Sequence, residues 1–202
     1  MEERQNPDGE RYSGQSSHHK EKELLEAQIR ECYGRAVYSH KTHEKCADIL
    51  LSKNNTIKVW QIILSGITTG SFIASIFGSG KVAALIGAVI STSLLILNAY
   101  TKDFELVSFA GKHRAAANAI WNVREDYLSL ITDMGEYSQE EIREKRDTLQ
   151  RKLADIYENA PSTNSQAYQK AQEALKHNEE LTFSEREIDL LLPKELRKNS
   201  EE

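Results

Sequence analysis

Apolar positions along this chain follow two patterns. Residues 59–101 hold a single charge, Lys81, whereas elsewhere apolar residues recur every three or four positions among charged ones. The uncharged stretch splits into two runs of 19 residues, 59–77 (VWQIILSGITTGSFIASIF) and 82–100 (VAALIGAVISTSLLILNAY), separated by Gly78-Ser79-Gly80-Lys81. At about 1.5 Å per residue such a helix is roughly 28 Å long, the thickness of a bilayer's hydrocarbon core. A four-residue connection with two glycines turns the second helix antiparallel to the first, so residues 59–101 predict a transmembrane helical hairpin. The competing reading is a buried hairpin of a soluble protein, but core helices carry charge on one edge and this chain has little else to wrap them. The first run begins too far from residue 1, and lacks the A-x-A pattern, for a signal peptide.

The flanking regions read as amphipathic helices. Residues 1–17 are Pro-, Gly-, Ser- and charge-rich and predict a disordered tail. In residues 18–58 a heptad seam runs through Leu25, Ile29, Cys32, Ala36, His43, Cys46 and Leu50, with Ser39 in the gap. This helix is expected to end at Ser52-Lys53-Asn54-Asn55. The second transmembrane helix is expected to continue into residues 102–197, whose seam is Phe109, Ala116, Ile120, Val123, Tyr127, Leu130 and Met134, with His113 in the gap. Gly135 is a natural stop. Ser138-Gln139-Glu140-Glu141 and Ser184-Glu185-Arg186-Glu187 are capping boxes that open further helices, and residues 198–202 form a tail. The predicted fold is an all-α membrane protein, a two-helix transmembrane hairpin with a cytoplasmic bundle of long amphipathic helices.

Charge sets the orientation and narrows the partners. The formal net charge is -5 and no basic face is apparent, which argues against nucleic acid. Lys41, Lys45, Lys53 and Lys58 precede the hairpin and Lys102, Lys112 and Arg114 follow it, whereas its tip has only Lys81. The positive-inside rule then places both termini in the cytoplasm of a multi-pass inner-membrane protein. Cys32 and Cys46 lie about 21 Å apart on one straight helix and cannot pair, which fits a reducing compartment.

Residues that carry chemistry are sparse. Gly78-Ser79-Gly80-Lys81 resembles the end of a phosphate-binding loop, but Ser75 and Val82 occupy positions that need Gly and Ser or Thr. His40, His43 and Cys46 fall three residues apart, a spacing that drifts around the helix, and no metal site is assigned. No acid/base pair or nucleophile constellation can be assembled, so the expectation is a protein that is not an enzyme and takes no cofactor.

The informative spacings lie inside the membrane. Gly66, Gly70, Ala74 and Gly78 recur every four residues, and Ala84, Gly87, Ala88 and Ser91 give the second helix a matching small face. Small residues let helices approach closely, within the hairpin or between chains. Gln61, Ser65, Thr68, Phe72, Ser75 and Ser79 form a stripe along the first helix, polar except at Phe72. Such a stripe either satisfies its own carbonyls or lines a water-filled pore built from several chains.

This arrangement resembles the SLATT family of bacterial two-transmembrane effectors. Local stretches agree as well: WNVREDYL at 121–128, RDTL at 146–149, IYENAP at 156–161 followed by Ala167-Tyr168, and LLPKEL at 191–196. The resemblance covers roughly residues 20–197 and implies a membrane effector of anti-phage conflict systems. The resemblance implies pore formation when a separate sensor or nucleotide-second-messenger synthase detects infection, and the stripe and small faces lead to the expectation of a homo-oligomer. The alternative is a membrane anchor or scaffold that recruits a cytosolic partner. The family carries no catalytic residues over to this sequence.

Overall fold

A computed structural model describes the backbone of residues 7–77, 81–193 and 196–198, and the side chains of residues 20–74, 81–82, 84–101, 105–193 and 196–198. The described residues are helical, without strands, in the order α1 (Pro7–Phe77), α2 (Lys81–Phe104), α3 (Leu106–Thr132), α4 (Gln139–Asn159), α5 (Ser165–Lys176) and α6 (Glu185–Leu191).

Helix α1 has 71 residues, a rod roughly 105 Å long at about 1.5 Å per residue. It differs from the sequence expectation at two places. It begins at Pro7, taking in residues 7–17 that composition assigns to a disordered tail; residues 1–6 lie outside the described residues. Proline suits a first helical turn, and Gly9 and Gly14 cost only about 1 kcal/mol each relative to alanine. The helix also runs through Ser52-Lys53-Asn54-Asn55 without a break. Serine and asparagine weaken a helix by only about half a kcal/mol each, less than the packing on either side supplies.

The return path is interrupted once. Rather than continuing from α2 into α3, the chain passes through Glu105 in the left-handed region (φ 36°, ψ 46°), with no side-chain cap. The reason is phase. Residues facing α1 run Gly87, Ile90, Leu94, Leu97 and Thr101 on α2, then Leu106, Ala110 and His113 on α3. The step from Thr101 to Leu106 is longer than the three or four residues of one helical turn, and the left-handed residue absorbs the surplus. The same phase change puts Ala110 in the seam and leaves Phe109 exposed, contrary to the heptad expectation. On α1, His40 rather than Ser39 is buried.

Helix α1 packs antiparallel to α2 and α3. Ser71 meets Gly87, Gln61 meets Asn98, His43 meets His113 and His40 meets Ala117, so one register extends from the hairpin into the bundle. Farthest from the hairpin, Leu25, Ile29, Cys32 and Ala36 of α1 form a core with Ile120, Val123, Tyr127, Leu130 and Met134. Ile142 and Leu149 of α4 complete this core, while Leu153 and Ile156 pack at its edge. Ser138 caps α4 in a complete capping box, and Ser184 does the same for α6. Helix α3 stops at Thr132, with Asp133 as its C-cap; Gly135 lies in the following turn without a positive φ. Helix α5 lies against α1, where Tyr168 stacks on Tyr38 at 6.0 Å.

Candidate functional site at the membrane edge

The two apolar helices are long enough to span a bilayer, and their side chains are not buried by the protein. Windows of 18 residues on the first and second are 6% and 0% buried, which a soluble core helix would not be. Ile62, Phe72, Val82, Leu85 and Leu95 are among the exposed side chains. The helices touch along one narrow seam, where Ile57, Gln61, Leu64, Thr68 and Ser71 face α2. Gln61 Nε2 donates to Asn98 Oδ1 at 2.8 Å and to Thr101 Oγ1 at 3.4 Å, an amide bridge that ties the hairpin at its bundle end.

Farther into the bundle, roughly 27 Å along α1 at about 1.5 Å per residue, the α1–α3 interface changes character. His40, Lys41, Thr42 and His43 of α1 and His113 of α3 are all buried. His43 Nδ1 and His113 Nδ1 are 3.0 Å apart, so one ring must donate and the other accept. His40 Nδ1 lies 3.0 Å from the Ala117 carbonyl, and its ring meets Trp121 edge-on at 5.1 Å. The Arg124 guanidinium lies over the Trp121 ring, 3.6 Å from its centroid.

Electrostatics keep this layer neutral inside and charged outside. Burial, then His113 and then His40, push the His43 imidazole down to about 4. Burial also lowers His113 and, against the pull of Ala117 and Glu44, His40. Around the histidines, Lys41 bridges Glu44 at 2.9 Å and Glu180 at 2.7 Å, while Arg114 reaches Asp48 at 2.9 Å and Glu44 at 3.4 Å. Burial penalises the Lys41 ammonium, but Glu180 and Glu44 outweigh it and its affinity for the proton is raised. His40 and His43 point to separate partners, and Cys46 is buried apart from them. Among the described residues no three His, Cys, Asp or Glu side chains converge as metal ligands.

A family model, the SMODS and SLOG-associating 2TM effector domain family 4, matches residues 25–187, from the first core leucine of α1 into α6. The chain belongs to this family. No curated protein and no solved structure matches it. Membership in a two-transmembrane effector family agrees with the exposed hairpin and makes this SLATT chain a membrane protein of conflict systems.

The residues singled out in the sequence separate on this SLATT hairpin. Of the polar stripe, Gln61 and Thr68 turn toward α2, and Thr68 Oγ1 donates to the Leu64 carbonyl one turn back at 2.8 Å. Ser65 and Phe72 are exposed beside the seam, while the side chains of Ser75 and Ser79 lie outside the described residues. Of the small residues, Gly87 faces α1, and a Cβ there would sit 3.4 Å from Ser71 Cβ. Gly66 and Gly70 do not join the hairpin contact: a Cβ at either meets nothing within 4 Å. Ala74, Ala84, Ala88 and Ser91 are likewise exposed, and Gly78 lies outside the described residues. Sequence reasoning noted His43 as a polar member of the first seam and His113 as the gap in the second but did not pair them. The signal was present, because antiparallel pairing of the two long helices brings these positions toward one level.

Proposed function

We propose that this chain is a homo-oligomeric effector that permeabilises the bacterial inner membrane when a separate sensor or second messenger reports infection. One observation carries the reading. A two-helix hairpin keeps its Gly66-Gly70 face free of internal contact, and close helix packing between chains is what such a face suits. Two helices cannot enclose a path, so conduction requires several copies, with Ser65 and its neighbours turned inward. The polar layer supplies a separable joint. A seam of neutral histidines is held less firmly than an aliphatic one, and Glu105 already breaks the helix between this seam and the membrane. Both termini in the cytoplasm would put this joint where a cytosolic signal can reach it.

The test is membrane potential in bacteria during graded induction. Leucine at Gly70 has open space within one chain, so Gly70→Leu leaves the hairpin intact and reports contacts between chains. The expected outcome is depolarisation by the wild type and little or none by the variant; equal depolarisation by both overturns the packing model. The scaffold reading draws on the exposed Leu190 and Leu191 of α6. It predicts instead that an unrelated hairpin supports function as well as this one.

A further inference from the structure

A groove of about 670 Å³ opens between α1 and α5, and it reaches the membrane boundary. Thr56 and Ile57 form its upper end, immediately before the span that begins at residue 59. The level of the boundary is marked independently by Trp60 and Tyr100, aromatic residues at the ends of the two apolar runs. Lys53 Nζ donates to Tyr100 Oη at 2.9 Å and lies 5.4 Å from the ring centroid. At about 1.5 Å per residue Lys53 sits roughly 9 Å below the span, next to the headgroup layer of about 5–7 Å that flanks a bilayer core.

The charges lining the groove are unequally engaged. Lys45 is bound to Glu180 at 3.3 Å and Asp48 to Arg114 at 2.9 Å. That leaves Lys53 and Lys170 as the cations facing the groove, against the carboxylate of Glu173. Lys53 uses one ammonium proton on Tyr100 and has two to spare. Ser52 and Gln166 add neutral polar groups, and Ile49 and Ile57 give one wall an apolar edge that leads toward the span.

We propose that this groove seats the headgroup of an anionic phospholipid from the adjoining leaflet, its phosphate held between Lys53 and Lys170. The acyl chains would leave past Ile57 along the exposed surface of α1. The site rests on the two helices crossing a membrane and not on whether they conduct ions. It would tether α5, and through Glu180 the Lys41 network, to the bilayer surface.

The test uses the full-length chain in detergent micelles and native mass spectrometry, comparing retention of phosphatidylglycerol with phosphatidylcholine. The wild type is expected to favour phosphatidylglycerol by about tenfold, and Lys53→Ala/Lys170→Ala to abolish that preference. The control is Lys58→Ala/Lys112→Ala. Lys58 is nearer the span than Lys53 but outside the groove, so the control should keep the preference to within about threefold if attraction is local rather than a general surface effect. A double variant that retains the preference, or a control that loses it equally, overturns the proposal. So does displacement of the lipid by equimolar glycerol phosphate, which would mark a site for free phosphate.

Discussion

Helices α1 and α3 meet twice in a single register, with opposite chemistry. Far from the membrane, Ile29, Ile120 and Tyr127 are fully buried in an aliphatic and aromatic core. Closer to the membrane than that core, the same pair of helices buries His43 against His113 and His40 against a backbone carbonyl. Aliphatic burial stabilises the first region without regard to pH or partner geometry. The second holds only while its rings are neutral and correctly paired. One helix pair thus has a permanent end and a conditional end, and the conditional end is the one nearer the hairpin.

The largest expected effect lies in the aliphatic region. Ile120→Ala should destabilise the bundle by about 2–5 kcal/mol through lost burial and the cavity left behind, read by denaturant unfolding in micelles. An effect below that at His43 would mean the two ends contribute alike and the contrast fails.

Acid should act on the other end. His43 titrates near 4 in the folded chain, against about 6.5 when unfolded. The unfolded state therefore binds the proton first, and stability falls as pH drops from about 6.5 toward 4, levelling below that. The loss from this site is on the order of 3 kcal/mol. It should vanish in His43→Leu/His113→Leu, whose unfolding midpoint should lose most of its dependence across this window. A pH profile unchanged in the double variant would place the acid sensitivity elsewhere.

Smaller is the coupling between the two rings. His43→Leu alone leaves His113 buried without its partner and should cost about 1–3 kcal/mol, whereas the double change should cost less than the two single changes together. Additive single effects would mean that the 3.0 Å contact contributes nothing specific. Smallest is Ser138→Ala, which removes the α4 cap and should cost about 1 kcal/mol without altering the pH profile.

Much of this architecture was legible beforehand. The two long apolar helices and their antiparallel pairing, both capping boxes and the core positions Leu25, Ile29, Ile120, Val123, Tyr127, Ile142 and Leu149 follow from periodicity and local chemistry. The breaks were less legible. Asparagines at 54 and 55 resemble a stop, yet helix cooperativity carries α1 through them, and Glu105 shows no local signal for a left-handed residue. The candidate site was legible as residues and not as a place: His43 and His113 are polar positions in apolar seams, and such positions do not name their partners.

By itself the sequence determined what must be buried and in what medium, because hydrophobic spacing and charge distribution depend only on the order of residues. It also determined the antiparallel path, since four residues between two spans allow no other. Only the tertiary structure decided which polar residues meet across that path. The phase of α3 relative to α1 is set after the chain has crossed the left-handed residue at 105, and a shift of one residue there exchanges Phe109 for Ala110 in the seam. Rotation about two helix axes, unlike spacing along one, is settled only when the helices pack.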